Sequence, residues 1–262
     1  MPKQITDRFL CIVLLLFTWG CKNDHDSVIN ALRSGDWKTA EILVKKSPNL
    51  LNTCGKDGLS LLHKAVENNR ADWVEFFIQH GADVNIRTQT TSRETPLHFA
   101  ASLGYYEPAR LLINHGADVN CRDDSLRTPL HLACQFSRKR IVELLVDNGA
   151  DVNALARDGF TPLFIVCTES RESPSDFSII RKLLEHGADT NYRLKGHSLL
   201  WVTLGSRCYR KAELLADCGA VLELPGEHEI CRLEGEQLKD YIKWCEQAAK
   251  EFPEQLPERY RK

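Results

Sequence analysis

A short motif repeated at a nearly constant interval constrains this 262-residue chain more than any other feature. Gly-Ala-Asp occurs four times at steps of 35, 33 and 38 residues, and Gly-Ala follows after 32 more. The glycines are Gly81, Gly116, Gly149, Gly187 and Gly219. In the same phase, Thr-Pro-Leu-His begins at Thr95 and Thr128, and Thr-Pro-Leu-Phe at Thr161. Two motifs in phase predict a stack of similar units rather than one globular core.

The repeated motifs have physical roles at helix ends. Thr95 can cap a helix by accepting a hydrogen bond from a free backbone N–H. Pro96 then suits the first helical position, where no N–H is needed. Gly116 can end a second helix in the left-handed conformation that glycine adopts at low cost. Each unit is therefore predicted to be two helices and a turn, which must stack on a neighbour to bury its apolar face.

These motifs resemble the ankyrin family, whose repeat is a turn and two antiparallel helices. The resemblance covers residues 25–222 and implies an all-α ankyrin-repeat solenoid of stacked helix-turn-helix units with hairpin loops. Leu238, Ile242 and Cys245 occur at helical spacing, which predicts a C-terminal capping helix followed by a charged tail within 223–262. We expect a degenerate cap at 25–55 and repeats at 56–88, 91–122, 125–155, 157–193 and 195–222. Two insertions, at 86–94 and 169–175, are expected in loops.

The N-terminal residues 1–20 have the pattern of a signal peptide. Phe9 to Trp19 carries no charge, is too short to span a bilayer, and fits the apolar region of an export signal. Gly20-Cys21 resembles the end of a bacterial lipoprotein signal, which implies cleavage before Cys21 and lipidation of its sulfur. Thr18 and Trp19 depart from that pattern, so cleavage near Gly20 without lipidation and an uncleaved anchor remain alternatives. We expect an exported protein at the cell envelope or in the periplasm, the alternative being the cytoplasm.

Charge and motif content argue against several functional classes. Lys and Arg number 34 against 36 Asp and Glu, a net charge of −2 with no long basic run, so we expect no nucleic-acid partner. The chain has no GxSxG, phosphate-binding Gly-rich loop or HExxH motif, and its ten cysteines form no CxxC pair. Cys134 and Cys167 share one repeat position and are predicted core residues. We therefore expect a protein that is not an enzyme, without catalytic residues, metal or cofactor.

The histidines occupy repeat positions and are predicted to be structural. One set should bond between turns, and the other precedes the glycines that end helices, where a donor suits the last carbonyl groups. The first set is His63, His98 and His131, and the second is His80, His115 and His186.

Binding to a protein partner is the remaining function, and two groups of residues are candidates for it. Basic side chains at hairpin tips could face an acidic partner or phospholipid headgroups, or could form a solvated rim balanced by nearby acids. They are Arg87, Arg93, Arg122, Arg127, Arg157 and Arg193. Apolar side chains near the turn between helices could anchor a partner or pack against a neighbouring repeat. They are Leu103, Tyr105, Tyr106 and Phe136.

The sequence thus predicts a protein–protein interaction module, an exported or envelope-anchored adaptor whose membrane attachment would be through its N-terminus. We expect a monomer. One alternative is an inhibitor or immunity protein that blocks a toxin or hydrolase. Another is a cytosolic ankyrin scaffold with an N-terminal hydrophobic anchor.

Overall fold

The computed structural model describes residues 25–169, 172–225 and 230–251, with the backbone alone at 223–225, 230–232 and 248–251. The predicted signal segment 1–20, Cys21 and the tail beyond residue 251 lie outside this part. The chain divides into two compact units. The first, called the N-terminal unit, comprises Met1–Ala100 and Tyr105–Asp118, and the second, called the C-terminal unit, comprises Ala101–Gly104 and Val119–Lys262.

In the N-terminal unit, helices follow one another in pairs with short connections. Helix α3 packs against α4, and α4 packs against α6. A 3-10 turn at Pro48–Asn52 follows the first pair. The helices are α1 at residues 25–33, α2 (Trp37–Lys46), α3 (Leu61–Glu67), α4 (Ala71–Gln79), α5 (Pro96–Leu103) and α6 (Tyr106–Asn114), of which α5 ends within the C-terminal unit.

The C-terminal unit continues the helix pairs and adds two short antiparallel hairpins, β1–β2 and β3–β4. Its helices are α7 (Pro129–Gln135), α8 (Lys139–Asp147), α9 (Pro162–Thr168), α10 (Pro174–Glu185), α11 (Leu199–Gly205), α12 (Tyr209–Asp217) and α13 (Gly235–Glu251). The strands are β1 (Arg193–Leu194), β2 (His197–Ser198), β3 (Leu222–Pro225) and β4 (Ile230–Leu233). Helix α13 packs on α12 and buries Leu238 and Ile242, as a capping helix should. The sequence did not predict the β3–β4 hairpin that precedes it.

The repeated motifs form the helix ends that the sequence predicts. The side chain of Thr161 accepts a hydrogen bond from the backbone N–H of Phe164 at 3.1 Å. At Thr128, the backbone N–H donates to Nδ1 of His131 at 3.1 Å, so the histidine completes a capping box. Gly116 ends α6 with φ at +88°, in the left-handed region. The motif residues thus satisfy backbone groups that a helix end leaves free.

Asparagines of the hairpins link successive repeats within each unit. In the N-terminal unit, Nδ2 of Asn52 donates to the carbonyl of Gly81 at 3.1 Å, while its Oδ1 accepts from the N–H of Asp83 at 2.7 Å. In the C-terminal unit, Asn153 makes the same pair of bonds to Gly187 and Asp189, each at 2.9 Å. Equivalent pairs recur at Asn85 and Asn120. One amide therefore holds two backbone groups of the following repeat.

The core positions follow the repeat. Leu97 and Ala100 of α5 are fully buried. Cys134 and Cys167 are also buried core residues, as predicted, and burial raises the pKa of both thiols. The thiols of these core cysteines are therefore protonated at neutral pH and pack as small apolar groups.

A buried ion pair that the sequence did not predict joins three repeats of the C-terminal unit. Lys211, at the start of α12, is fully buried and donates to the carbonyls of Val166 and Glu169, both at 2.8 Å. Its Nζ lies 3.4 Å from Oδ2 of Asp176 in α10. Asp176 also accepts from the hydroxyl of Ser137 at 2.6 Å. Burial raises the pKa of Asp176, but the hydrogen bonds of its carboxylate and the charge of Lys211 outweigh burial and hold the pKa below its ordinary value.

We predict that Lys211→Ala lowers the free energy of unfolding by about 3–5 kcal/mol, because it leaves the Asp176 carboxylate buried without its cation. Urea denaturation followed by circular dichroism measures this change. Lys38→Ala, at an exposed position of α2, is the control and should cost less than about 0.5 kcal/mol. Equal losses in the two variants would contradict a stabilising role for the buried pair.

Candidate functional site

The candidate arginines of the C-terminal unit make hydrogen bonds to neighbouring hairpins. Nη1 of Arg122 donates to the carbonyl of Leu155 at 3.2 Å, and the guanidinium of Arg157 donates to the carbonyl of Asp124. Arg127 binds the carboxylate of Asp123 at 2.8 Å, and the side chain of Asp123 is fully buried. These arginines therefore hold the hairpin loops in place, and Arg122 and Arg157 remain exposed as well. Arg193 is exposed on β1.

The candidate arginines of the N-terminal unit lie in the first insertion, residues 86–94. Nη1 of Arg87 donates to the carbonyl of Arg93 at 3.2 Å, which closes the loop. Inside the loop, Thr88 is buried and its hydroxyl lies 2.8 Å from that of Thr90. The N–H of Gln89 donates to the carbonyl of Gly58 at 2.9 Å, so the loop packs on the preceding hairpin. The insertion is a loop, as predicted, with its own hydrogen-bond network.

Two of the four apolar candidates stay exposed at equivalent positions of successive repeats. Leu103 at the end of α5 and Phe136 just after α7 are 37% and 48% exposed, and both belong to the C-terminal unit. Tyr105 and Tyr106, in the N-terminal unit, are only partly exposed.

Arg138 reaches the turn that bears Leu103, on both sides of that residue. Its Nε donates to the carbonyl of Ser102 at 3.0 Å. Its stem covers Gly104, where a Cβ atom would come within 2.7 Å of Cδ of Arg138. Glycine at position 104 leaves room for this approach and adopts a φ of +82° at low cost. We call Leu103, Phe136 and Arg138 the apolar turn surface.

Two further exposed leucines were missed by the sequence interpretation. Leu126 and Leu155, in the hairpins of the C-terminal unit, are 40% and 42% exposed. The sequence could have indicated them, because each leucine lies one or two residues before a hairpin arginine, in Ser-Leu-Arg and Ala-Leu-Ala-Arg. Leu126 also has a positive φ of 58°, which is uncommon for a residue with a branched side chain. These leucines form a second set of exposed apolar residues in the same unit.

Two histidines of the first set, His63 and His131, bond between turns, as predicted. Nδ1 of His63 accepts from the N–H of Ser60, and its Nε2 lies 3.1 Å from the carbonyl of Glu94 in the following repeat. Nε2 therefore carries the proton and donates, which requires the neutral ring. Burial, which disfavours the charged ring, lowers the pKa of His63 to about 4. His131 makes the equivalent bond to the carbonyl of Phe160 at 3.1 Å.

The depressed pKa of His63 predicts a loss of stability in mild acid. Since the folded state prefers the neutral ring, this contribution is complete above about pH 6.5, the ordinary pKa of histidine, and is lost as the pH falls towards 4. The unfolding free energy should decrease by about 3 kcal/mol over this range from His63. Urea denaturation at several pH values measures the slope, which should be shallower in His63→Gln. His115→Gln, at an exposed helix end, should keep the slope of the original chain, and a slope unchanged in His63→Gln would refute the assignment.

The described residues contain no cluster of three or more histidine, cysteine or acidic side chains able to hold a metal ion. Among them, seven cysteines are free thiols. None of the helices in the described part is long and apolar enough to cross a membrane. The absence of catalytic, metal and cofactor sites remains a prediction from the sequence.

The fold and the repeated bonds define a protein built from stacked helix-pair repeats. A family model described as ankyrin repeats in three copies matches residues 28–123, 86–156 and 122–194, which together cover more than half of the chain. The chain therefore belongs to the ankyrin-repeat family, and the all-α ankyrin-repeat fold is confirmed. Ankyrin repeats indicate a protein–protein interaction module.

Similar proteins share this repeat region. Mouse protein phosphatase 1 regulatory subunit 27 is 34% identical over 96 residues, which are 37% of this chain and 61% of that protein. Human Rabankyrin-5 is 37% identical over 83 residues, 32% of this chain and 7% of the relative. Human ankyrin repeat and SOCS box protein 6 is 35% identical over 108 residues, 38% of this chain and 24% of the relative. The chain spans about three fifths of the first of these relatives and less of the other two.

Proposed function

We propose that this chain is an exported, envelope-anchored adaptor that does not catalyse a reaction and binds a protein partner through the apolar turn surface. The observation that carries the proposal is the exposure of Leu103 and Phe136, 37% and 48%, at equivalent positions of successive repeats. By contrast, Ala101 and Cys134, which lie two residues before Leu103 and Phe136, are buried. Exposed apolar side chains next to each other in the repeat pattern are suited to bury against a partner.

The neighbourhood of these side chains supports binding. Because Arg138 is hydrogen-bonded to the turn that bears Leu103, its guanidinium adds a positioned cation beside the apolar residues. An aromatic side chain, an aliphatic side chain and an arginine make a composition that is enriched at the centres of protein interfaces. A surface ordered before binding loses less conformational entropy when it binds.

We predict that Leu103→Ser/Phe136→Ser weakens partner binding by about tenfold or more, because the two anchors no longer bury apolar area. The chain is immobilised, its partner is captured from an envelope extract and identified by mass spectrometry, and affinity is then measured with purified components. Leu126→Ser/Leu155→Ser is the matched control, since it removes two apolar side chains of similar exposure from the same unit. Equal losses in the two double variants would argue against the apolar turn surface as the binding site.

Support for the anchor comes from the sequence of residues 9–21. The uncharged stretch from Phe9 to Trp19 fits an export signal, and Gly20-Cys21 fits the end of a lipoprotein signal. Acyl chains on Cys21 and its amino group would attach the protein durably to a membrane surface. The repeats would then meet their partner at that surface.

We expect labelled palmitate to enter the full chain but not Cys21→Ala, when each is expressed in a bacterial host with lipoprotein processing. Cys11→Ala is the matched control, because it removes a thiol from the apolar stretch and should keep the label. Label retained in Cys21→Ala would refute lipidation at Cys21. Recovery of the unprocessed chain in the soluble cytosolic fraction would refute export and favour a cytosolic scaffold.

The second candidate function of this protein is that of an inhibitor or immunity protein. The relative named a phosphatase regulatory subunit is, by its name, a protein that acts on an enzyme. If the captured partner is a toxin or hydrolase, the two roles differ in one measurement. An adaptor leaves the activity of its partner intact at saturating concentration, whereas an inhibitor abolishes it.

A further inference from the structure

A groove opens between α10 and α12, on the layer of second helices in the C-terminal unit. It consists of two adjoining depressions of about 450 and 380 Å³, which share Arg181 and Leu214 as lining residues. Helix α10, with 12 residues, gives one wall a length of about 18 Å. That length equals about three turns of a bound helix.

The groove is lined by both apolar and charged side chains. Leu214 of α12 is 8% exposed and lies at the junction of the two depressions. Phe177 and Leu184 of α10 lie seven residues apart, two helical turns, and are partly exposed along the other wall. A ligand that follows the groove would therefore meet an apolar strip at helical spacing.

Carboxylates without cation partners also line the groove. Glu172, Glu185 and Glu213 line the groove and form no ion pair with any other residue of the described ranges. Oε1 of Glu172 is buried and has no hydrogen-bond partner within the described part of the chain. A buried acceptor without a donor is costly, so a bound cation at this point would be favourable.

The other charged side chains that line the groove are Asp217, Arg210 and Arg181. Asp217 binds Lys239 of α13 at 2.8 Å, and the guanidinium of Arg210 lies 5.0 Å from the centre of the Phe177 ring. Arg181 is the other cation among the lining residues, and its contact with a ring leaves Arg210 fully charged. The lining thus carries four carboxylates against two guanidinium groups, which makes the groove net acidic, and the complementary ligand is basic.

The buried pair of Lys211 and Asp176 holds both walls of the groove at their first turns. Lys211 lies in the first turn of α12, and Asp176 lies in the first turn of α10. Their contact at 3.4 Å, together with the bonds of Lys211 to the end of α9, fixes the two helices relative to each other within the C-terminal unit. The groove is thus formed before a ligand arrives, which reduces the entropic cost of binding.

We propose that this groove is a second binding surface, whose ligand is a basic amphipathic helix of a protein partner. The apolar face of such a helix lies on Leu214 and Leu184, and its lysines or arginines pair with the carboxylates of Glu185 and Glu213 and, at one end, with Glu172. The apolar turn surface is a separate feature of the C-terminal unit. The groove can therefore bind its ligand whether or not the apolar turn surface binds a partner.

Two labelled synthetic peptides of about three helical turns test the proposal by fluorescence anisotropy with the full chain. They carry the same leucines and one tryptophan in helical register, and lysine in one replaces glutamate in the other. We expect the lysine peptide to bind at least about tenfold more tightly than the glutamate peptide. Equal affinities for the two peptides would overturn the proposal.

Charge-reversal variants of the groove test whether the lysine peptide binds there. Glu185→Arg/Glu213→Arg should reduce affinity for the lysine peptide by about tenfold or more. Glu67→Arg/Glu75→Arg makes the same change of net charge at exposed positions of the N-terminal unit and should leave affinity within about twofold. The same loss in both double variants would mean that the peptide responds to net charge alone, and would overturn the groove assignment. Unchanged thermal unfolding verifies that each variant is folded.

The C-terminal residues 252–262, which end in Arg259-Tyr260-Arg261-Lys262, are the other basic ligand that this chain could offer. Removing them tests this directly. No change in affinity for the lysine peptide supports a ligand from a partner protein. An increase of about tenfold would mean that the tail competes for the groove, and would overturn the assignment to a partner.

Discussion

The hydrogen bond from one repeat to the backbone of the next is the interaction on which the rest of each unit depends. A pair of short helices has too little apolar area to stay folded alone, so each repeat needs its neighbour in one exact register. The amides of Asn52 and Asn153 fix that register by binding a carbonyl and an N–H of the following hairpin at once. His63 adds a third bond of the same kind from the helix layer.

The polar residues that hold the repeats together differ from the residues that are left exposed. Polar side chains of the repeated motifs, including those of His63, His131 and Asn153, are engaged with backbone groups of their own unit. The engaged arginines behave in the same way, since Arg122 and Arg157 bind hairpin carbonyls. We therefore propose that recognition of partners relies mainly on residues outside the repeated motifs, such as the exposed apolar side chains and the acidic groove between α10 and α12.

The sequence predicted the helix pairs and their capping residues, because these depend on local chemistry that recurs about every 33 residues. It predicted the capping helix α13 from the helical spacing of its apolar residues. It did not predict the pair of Lys211 and Asp176, whose members are 35 residues apart in different repeats. Nor did it predict that Arg122 would reach Leu155. Such contacts depend on how one repeat is placed on the next, which a motif within one repeat does not encode. The β3–β4 hairpin was missed because it follows the last repeat, where the periodicity ends.

By itself, the sequence determined the repeat family, the class of function and the helix ends that the repeated motifs form. It did so because helix caps and glycine turns are set by interactions between residues a few positions apart. The tertiary structure alone decided which candidates are accessible. Leu103 and Phe136 stay exposed, while Tyr105 and Tyr106 are only partly exposed. Exposure depends on what the neighbouring repeat covers, and that is a property of packing between residues far apart in the chain.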